Sequence, residues 1–271
     1  MASPPNKIVT EELESEIISR YLSGDPARKI RDDLGVFKTH KTVYDILKKH
    51  GITTRDWGDY SDTGLDHLYF TNIDTPNKAY VLGLMIADGW VYSPKNSIGI
   101  GLTDLDAIDF VRREWKTNNK PIDIHPRLKA NNESLRKNAQ QIVVTSNTMR
   151  LALKKYGVVD RKSLVTFLPI LEEFQSHMIR GVLDGDGTIG QYLTGRTIKF
   201  YGSHWLIAQL SLFLHLELGI TYQLPSLHDS ISVVAWSSSR EVDKLGEYIY
   251  SDAEQSFYLE RKRQCLQKSS L

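Results

Sequence analysis

Two ten-residue segments of this sequence end on an aspartate followed by a glycine, and both are otherwise mostly apolar. They cover residues 80–89 (YVLGLMIADG) and 178–187 (MIRGVLDGDG) and place Asp88 and Asp186 98 residues apart. Each has the composition of a buried helix that its glycine ends. Core packing alone does not explain the acids, because a carboxylate in the last turn of a helix opposes the dipole at a cost of about 0.3–1 kcal/mol. We therefore interpret both aspartates as chemical groups.

Small residues in both segments predict that the two helices pack directly on each other. Gly83 and Ala87 are four residues apart in the first segment, and so are Gly181 and Gly185 in the second. Residues at that spacing lie on one face of a helix, where small side chains let two backbones approach closely. The packed pair would bring the two aspartates to the same end.

A divalent metal would stabilise two aspartates in that arrangement. Carboxylates about 5 Å apart repel each other by about 3 kcal/mol at an effective dielectric constant near 20. Oxygen ligands favour Mg²⁺, which keeps several waters and takes a substrate phosphate as a further ligand. Such ions activate water and stabilise the leaving oxygen of a phosphodiester. We assign the metal site to Asp88, Asp186, Gly89 and Gly187.

The two segments belong to an internal repeat. The pair Arg161 and Lys162 recurs as Arg261 and Lys262, 100 residues later. In each copy we predict the order helix, two strands, helix, two strands, helix. The predicted strands are residues 90–92, 98–102, 122–128 and 141–145 in the first copy, and 189–193, 197–201, 221–224 and 230–236 in the second. The helices between the strand pairs are predicted at residues 105–115 and 205–218.

The repeated segments resemble the nine-residue motif of the LAGLIDADG homing endonucleases, in the form with both motifs on one chain. The resemblance covers about residues 77–265. It implies an α+β fold of two pseudo-symmetric αββαββα halves, whose antiparallel sheets form a DNA-binding saddle. It also implies that the eighth motif position, Asp88 and Asp186, carries the metal-binding acid. At the sixth position Asp184 fits the family's acid, whereas Ile86 departs from it and is assigned a packing role.

The family also has a basic residue near the active site, after the second strand pair of each half. Lys162 and Lys262 stand at that point in the two copies. They would polarise a water or hold the scissile phosphate; the alternative is that they only contact the DNA backbone. A polar residue at the end of the second strand is also usual, and Thr103 and Ser203 stand near that position.

Residues 8–51 are predicted to form three short helices. Thr10 suits the first N-cap, Pro26 the first turn of the second helix, and Gly35 the turn that follows. Residues 27–36 and 42–47 (ARKIRDDLGV and TVYDIL) resemble the helix-turn-helix of recombinases and repressors, whose third helix enters the major groove. The expected base contacts are Lys38, His40, Lys41 and Tyr44, and the expected phosphate contacts are Lys48 and Lys49. The alternative is a three-helix bundle that does not bind DNA.

Further basic side chains fall between the helical region and the repeat and in the predicted sheets. As DNA-facing residues we name Arg55 in the linker, and Lys95, Arg127, Lys129, Arg136, Lys137, Arg196, Lys199 and His228 in the repeat. Exposed sheet charge without a DNA role is the alternative. His177 and His204 lack ligands at i, i+3 or i, i+4 spacing, so we expect them in the core or against DNA.

Composition and charge exclude several classes of protein. The 271 residues are 41% apolar and 25% charged, which excludes a mainly disordered, collagen-like or coiled-coil chain. Residues 112–162 carry a net charge of +9 and residues 163–260 a net charge of −7. This segregation indicates a polyanion-binding surface beside a carboxylate-rich site, with simple solvated charge as the alternative.

The sequence also predicts the compartment. A single cysteine, Cys265, excludes an internal disulfide and a multi-cysteine zinc site. The longest nearly apolar stretch, residues 205–216, is too short to cross a bilayer, and the first residues show no secretory signal. We expect an intracellular protein with no membrane partner, in the cytoplasm or nucleoid of a bacterial or phage-infected host.

These observations divide the chain into a helix-turn-helix domain at residues 1–57, a linker at 58–76, and repeat halves at 77–165 and 166–271. The resemblance implies a monomeric, site-specific endonuclease that cuts both strands of double-stranded DNA at a long asymmetric site and leaves short 3′ overhangs. It implies Mg²⁺ as cofactor, with Mn²⁺ substituting and Ca²⁺ binding without supporting cleavage. The alternative is a DNA-binding regulator or an intron-splicing maturase that keeps the fold without cleavage.

Overall fold

A computed structural model describes residues 9–23, 25–35, 37, 39–52, 54, 64–124, 139–162, 166–192, 195–228 and 231–266. The chain divides into two compact units, Met1–Thr63 and Gly64–Leu271. The division falls inside the linker predicted at residues 58–76. The second unit begins earlier than residue 77 because Leu65, Tyr69 and Phe70 are buried in its hydrophobic core.

The first unit contains three helices, α1 (Glu11–Leu22), α2 (Ala27–Leu34) and α3 (Lys41–Lys49). Thr10 caps α1 by accepting a hydrogen bond from the Leu13 amide at 3.3 Å. Gly35 ends α2 in the left-handed conformation, with φ of 61°, which favours glycine because it has no Cβ. The three predicted helices and the turn at Gly35 are confirmed, whereas Pro26 is the N-cap of α2 and does not lie in its first turn. Their apolar faces share one core of Ile17, Tyr21, Ala27, Ile30, Val43, Ile46 and Leu47.

The second unit repeats one arrangement of helices and strands. Its first half contains α4 (Pro76–Ala87), β1 (Gly89–Tyr92), β2 (Ser97–Leu102), α5 (Leu105–Glu114), β3 (Ile122–Ile124), β4 (Ala139–Thr145) and α6 (Asn147–Lys155). Its second half contains α7 (Gln175–Asp186), β5 (Thr188–Tyr192), β6 (Gly195–Gly202), α8 (His204–Leu218), β7 (Ser226–His228), β8 (Ile231–Trp236), α9 (Ser239–Tyr250) and α10 (Glu260–Gln264). The α+β class and the repeat are confirmed.

Each half contains a four-stranded antiparallel sheet with the same strand order. The orders are β1-β2-β4-β3 and β5-β6-β8-β7. In each sheet the two strand pairs therefore meet through one contact, between β2 and β4 in the first sheet and between β6 and β8 in the second. This shared topology is the structural form of the sequence repeat.

One predicted strand is wrong. Residues 221–224 are irregular, and the strand that pairs with β8 begins at Ser226. Side chains take the place of a strand ladder there: Glu241 accepts from the Thr221 amide at 2.7 Å, and Ser211 accepts from the Gln223 amide at 2.8 Å. The strand predicted at 122–128 is present to Ile124, and its remainder lies outside the described residues.

Each sheet is covered by helices on one face. In β6, Ile198 and Phe200 are buried on the covered face, while Lys199 and Tyr201 alternate with them on the other. Helices α8 and α9 pack on the covered side of β6 and β8, and α5 packs on β2 and β4. The uncovered faces, called the open faces below, are half-exposed in the strand centres. No helix in the described ranges has both the length and the apolar character to cross a membrane.

The two repeated helices, α4 and α7, cross at two facing glycines. A Cβ atom on Gly83 would lie 2.9 Å from the Gly181 Cα and would collide with the Met178 carbonyl. A Cβ on Gly181 would lie 3.0 Å from the Gly83 Cα and would collide with the Tyr80 carbonyl. The predicted close packing of the two helices is confirmed, and side chains are excluded at the crossing.

We predict that Gly181→Ala destabilises the second unit by about 2–3 kcal/mol, because its methyl group meets a backbone carbonyl that cannot move aside. Urea unfolding followed by circular dichroism measures this change. Gly202→Ala is the control, because its nearest new neighbour is the flexible Leu206 side chain at 3.0 Å. Equal effects of the two substitutions would contradict a backbone crossing at Gly181.

Candidate functional site

The two aspartates lie at adjoining ends of the crossed helices. Asp88 is the C-cap of α4, and its amide donates to the Leu84 carbonyl at 2.8 Å. Asp186 is the last residue of α7. The Asp88 carboxylate lies against α7: a Cβ atom on Gly185 would be only 2.9 Å from Asp88 Oδ2. The small residues at the end of the crossing therefore let one carboxylate rest against the other helix.

Both carboxyl groups favour their neutral forms more than an ordinary aspartate does. Burial, followed by the nearby Asp186 charge, raises the pKa of Asp88 to about 6. Asp186 is more open to solvent, yet the surrounding protein removes enough water to raise the pKa of its carboxyl as well. Among the residues that the structure describes, neither carboxylate accepts a hydrogen bond. Two acids that repel and have no donor favour a cation between them.

Each helix end is closed by a lysine from the far end of its own half. The Lys162 ammonium donates to the carbonyls of Met85 at 2.9 Å and Ile86 at 2.6 Å, and also to that of Ala87. The Lys262 ammonium is buried and donates to the carbonyls of Leu183 at 2.5 Å, Asp184 at 2.8 Å and Gly187 at 2.8 Å. Two of the three carbonyls are equivalent in the two helices, Met85 with Leu183 and Ile86 with Asp184, and such terminal carbonyls carry the negative end of the helix dipole.

The lysines lie close enough to affect the acids electrostatically. Burial lowers the pKa of Lys162 to about 8, and it does the same for Lys262, while nearby aspartates act in the opposite direction. Both ammonium groups remain mostly protonated at neutral pH. Sequence reasoning placed these lysines near the aspartates but missed the carbonyls that hold them. The only sequence signal was their near-equal spacing from the two repeated segments.

Asp184, at the sixth motif position, is a structural acid. It is buried and accepts hydrogen bonds from the Tyr80 hydroxyl and the Leu259 amide, each at 2.9 Å. Tyr80 belongs to α4, so this carboxylate joins the two crossed helices. Leu259 precedes α10, so the same carboxylate also positions the segment that carries Lys262. The equivalent Ile86 is buried among apolar side chains.

The first turns of α7 contain a second buried polar cluster. Arg180 is fully buried and donates to the Ile249 carbonyl at 2.6 Å and to His177 Nδ1 at 2.5 Å. His177 Nε2 lies 3.0 Å from Asp252. The expectation of His177 as a core residue agrees with this position. Sequence reasoning did not identify the cluster, because its partners come from residues 249–257.

The geometry of the two aspartates fits a divalent metal. Two neighbouring carboxylates, both without a hydrogen-bond donor among the described residues, provide the hard oxygen ligands that Mg²⁺ prefers. No group of three or more His, Cys, Asp or Glu side chains converges within the described ranges. Remaining ligands would therefore be waters, backbone carbonyls or a substrate phosphate. Gly89 opens β1, and the Gly187 carbonyl already accepts from Lys262; their assignment to the metal stays a prediction.

The DNA-facing predictions in the repeat have different positions. Lys199 lies on the open face of β6, and His228 lies on the same face with its ring 6.3 Å from that of Tyr201. Lys95 is exposed between β1 and β2. The prediction for Arg196 is wrong. This residue lies two positions before Ile198 in β6 and therefore on the same, covered face. There it forms an ion pair with Asp243 of α9 at 2.7 Å.

In the first unit, the predicted contacts lie on and next to α3. Lys41, Lys48 and Lys49 are exposed, whereas His40 and Tyr44 are half-buried and pack ring to ring at 5.9 Å. Lys49 also forms an ion pair with Glu14 at 2.8 Å. In the repeat, Ser203 caps α8 by accepting from the Leu206 amide at 3.3 Å. Six predicted DNA contacts lie outside the described residues: Lys38, Arg55, Arg127, Lys129, Arg136 and Lys137.

We predict that Lys262→Met destabilises the second unit by about 1–3 kcal/mol, because buried carbonyls lose their donor. The free energy of unfolding in urea measures this loss. Lys154→Met is the matched control, because Lys154 is exposed on α6 and a change there should stay within about 0.5 kcal/mol. An unchanged stability in Lys262→Met would show that the ammonium does not hold the helix end.

No protein-family model matches this sequence, and no curated protein matches it. Solved structures are similar to it in fold. The homing endonuclease I-WcaI bound to its DNA recognition sequence aligns with 88% of this chain and 97% of its own, at TM-score 0.54 and 10% identity. Mesophilic variants of the homing endonuclease I-DmoI align over 69% and 94%, at TM-score 0.44 and 16% identity. Full-length DUF199/WhiA from Thermatoga maritima aligns over 73% and 62%, at TM-score 0.45 and 11% identity.

The similarity to I-WcaI spans nearly all of both chains, which agrees with the two sheets and paired helices described above. The two weaker similarities add nothing to the fold assignment. Two like halves, each with a four-stranded antiparallel sheet, meet along helices that bear the repeated motif. The chain has the fold of the LAGLIDADG homing endonucleases.

Proposed function

We propose that this protein is a site-specific DNA endonuclease that hydrolyses one phosphodiester in each strand of a duplex. The observation that carries the proposal is the pair of aspartates at adjoining helix ends, each with a raised pKa and no hydrogen-bond donor among the described residues. One acid comes from each half, so a single copy of the chain contributes one carboxylate to each strand. The sequence resemblance adds short 3′ overhangs as the expected product.

Asp88 and Asp186 would hold Mg²⁺, with Mn²⁺ able to replace it and Ca²⁺ binding without cleavage. When bound, the metal supplies Lewis-acid chemistry, which activates water and stabilises a leaving oxygen. The protein holds the two carboxylates in place through the crossing of α4 and α7. Partial burial of Asp88 excludes water from one side, and this strengthens charge interactions at the site.

Lys162 and Lys262 would act first by holding the helix ends that carry the acids. Both donate to carbonyls of the turn before or just after each aspartate. Their positive charge also offsets part of the charge of a scissile phosphate nearby. Direct proton transfer by either lysine would require it to leave those carbonyls. We therefore assign both lysines as positioning residues.

Double-stranded DNA would lie on the open faces of the two sheets. Lys199 and His228 lie on one of these faces, and Lys95 is exposed beside the other sheet. The first unit would add a second DNA contact through α3, which exposes Lys41 and Lys48. A tethered second contact raises affinity by effective concentration. A long, asymmetric target site follows from two unlike halves and this added unit.

The pKa of Asp88 predicts how stability depends on pH and metal. The folded pKa of about 6 exceeds the unfolded value of about 3.9, so the unfolded state binds fewer protons between these values. Stability therefore falls as the pH rises from about 4 to 6 and stays reduced above that range. At neutral pH the free energy of unfolding of Asp88→Asn should exceed that of wild type by about 1–3 kcal/mol, and below about pH 4 the two should be equal.

Thermal unfolding with and without Mg²⁺ completes this test. Mg²⁺ should raise the melting temperature of the wild type and leave Asp88→Asn unchanged, since a ligand stabilises only the state that binds it. Asp109→Asn, which changes an exposed acid of α5, is the control and should respond to Mg²⁺ as the wild type does. An equal Mg²⁺ response in all three proteins would show that Asp88 does not bind the metal.

Cleavage is tested by sequencing the ends of a random-insert DNA library incubated with Mg²⁺ or with Ca²⁺. We expect discrete paired ends with Mg²⁺ alone, and a loss of at least about a hundredfold in Asp88→Asn and in Asp186→Asn. DNA binding should persist in both variants, and Asp109→Asn should cut normally. Retained fragments without new ends would instead indicate a binding protein, such as a regulator or a splicing maturase.

A further inference from the structure

Helix α8 exposes a row of large apolar side chains on the face that points away from its sheet. The row contains Trp205, Leu212 and Leu216, which are 67%, 49% and 74% exposed. Gln209 is exposed between them and completes the spacing i, i+4, i+7, i+11, which keeps all four on one face of a helix. The opposite face of α8 is already buried, since Leu206, Leu210 and Leu214 pack in the core.

The other half of the protein provides an internal comparison. At a shift of 100 residues, the row in and just after α5 reads Leu105, Asp109, Arg112 and Lys116. Three of these four side chains are charged, as expected of a helix face in water. The two helices have the same place in the same topology. The apolar character of the α8 face is therefore not a requirement of the fold.

A neighbouring segment extends the apolar face. The Leu168 amide donates to Gln209 Oε1 at 2.8 Å, and the Ser203 hydroxyl donates to the Thr166 carbonyl at 3.0 Å. These bonds hold residues 166–170 beside the first turns of α8. In that segment Ile170 is 64% exposed. The face defined by Trp205, Gln209, Leu212, Leu216 and Ile170 is called the α8 patch below.

We propose that the α8 patch binds the same patch of a second copy of this chain, so that the protein forms a symmetric dimer. Its four apolar side chains expose about 500 Å² in one copy, and homodimer interfaces are about 65% apolar. If these ~500 Å² make up about 65% of the interface, the whole interface covers about 800 Å² per copy, which is the standard size for a specific complex. The patch is thus large enough to form most of a stable interface.

The spacing of the patch also favours its own copy as the partner. Steps of 4, 3 and 4 residues read the same in both directions, so two α8 helices in antiparallel orientation match across a twofold axis. Trp205 of one copy would face Leu216 of the other, and Gln209 would face Leu212. Within α8, Glu217 is the one residue with a full formal charge, and it lies outside the row. Pairing therefore buries no like charges.

Such a dimer would leave the open sheet face and the two aspartates accessible. Helix α8 packs on the covered side of β6 and β8, so the patch lies on the opposite side from the open face of that sheet. Asp88 and Asp186 come from the same copy and need no partner residue. The proposal therefore does not depend on the proposed function, and the two can fail separately. It differs from the monomer that the sequence resemblance implies.

Sedimentation velocity of the full chain, over two decades of concentration up to about 100 μM, tests the dimer. Wild type should shift from monomer to dimer as the concentration rises. The variant Leu212→Arg with Leu216→Lys places on α8 the residues that the first half carries at Arg112 and Lys116. It should weaken self-association at least about a hundredfold. Because these residues suit an exposed helix face, the variant should unfold at the same temperature as wild type when both are measured at a concentration low enough for wild type to be monomeric.

The matched control is Leu22→Lys with Leu151→Arg. These leucines are 68% and 48% exposed on α1 and α6, close to the values of the two patch leucines. The control should dimerise like the wild type. Wild type that sediments as a monomer throughout would overturn the proposal. So would a dimer that the patch variant leaves intact, because the interface would then lie elsewhere.

Discussion

The close crossing of α4 and α7 is the contact on which the rest of the second unit depends. Gly83 and Gly181 face each other where neither can carry a side chain, so the two backbones meet directly. This approach places Asp88 against the end of the other helix and brings a second carboxylate near it. Each half would otherwise be a sheet with helices on one side, holding a single acid. The crossing makes one site out of two halves and sets the spacing between the acids.

Holding acids at the C-terminal ends of two helices has an electrostatic cost, and the structure offsets part of it locally. Helix dipoles present negative ends there, and two aspartates add charge of the same sign. Lys162 and Lys262 return from the far ends of their halves to donate to those terminal carbonyls. Burial is the main cause of the raised pKa values of both aspartates, and at Asp88 repulsion by the Asp186 charge adds to it. A bound cation would relieve that repulsion, so the same strain that destabilises the metal-free protein would favour metal binding.

The two halves share a topology but are stabilised differently. In α7, His177, Arg180 and Asp184 form buried polar contacts, and Asp184 joins Tyr80 of α4 to the segment before α10. The equivalent positions of α4 are Ala79, Leu82 and Ile86, which are buried in the apolar core. A buried polar network is specific because each member requires its partners. At these positions α7 is therefore held by polar contacts, whereas α4 relies on apolar packing. The apolar patch of α8 adds a third difference, on the outer surface.

The repeat, the two aspartates, the close helix pair and nearly every helix are predictable from the sequence, which shows them through local spacing and through small residues at fixed intervals. The family resemblance also predicted Lys162 and Lys262 near the acids. The sequence-based prediction was incomplete elsewhere. It failed for residues 221–224, where side chains of Ser211 and Glu241 take the backbone hydrogen bonds that a strand would need. It also placed Arg196 on the wrong face, because a charge in a strand does not reveal that Asp243 covers it. The carbonyls that hold the lysines, the contacts of Asp184 with Tyr80 and Leu259, and the bond from Arg180 to the Ile249 carbonyl could not be predicted, since each joins residues 69 or more positions apart that only the folded chain brings together.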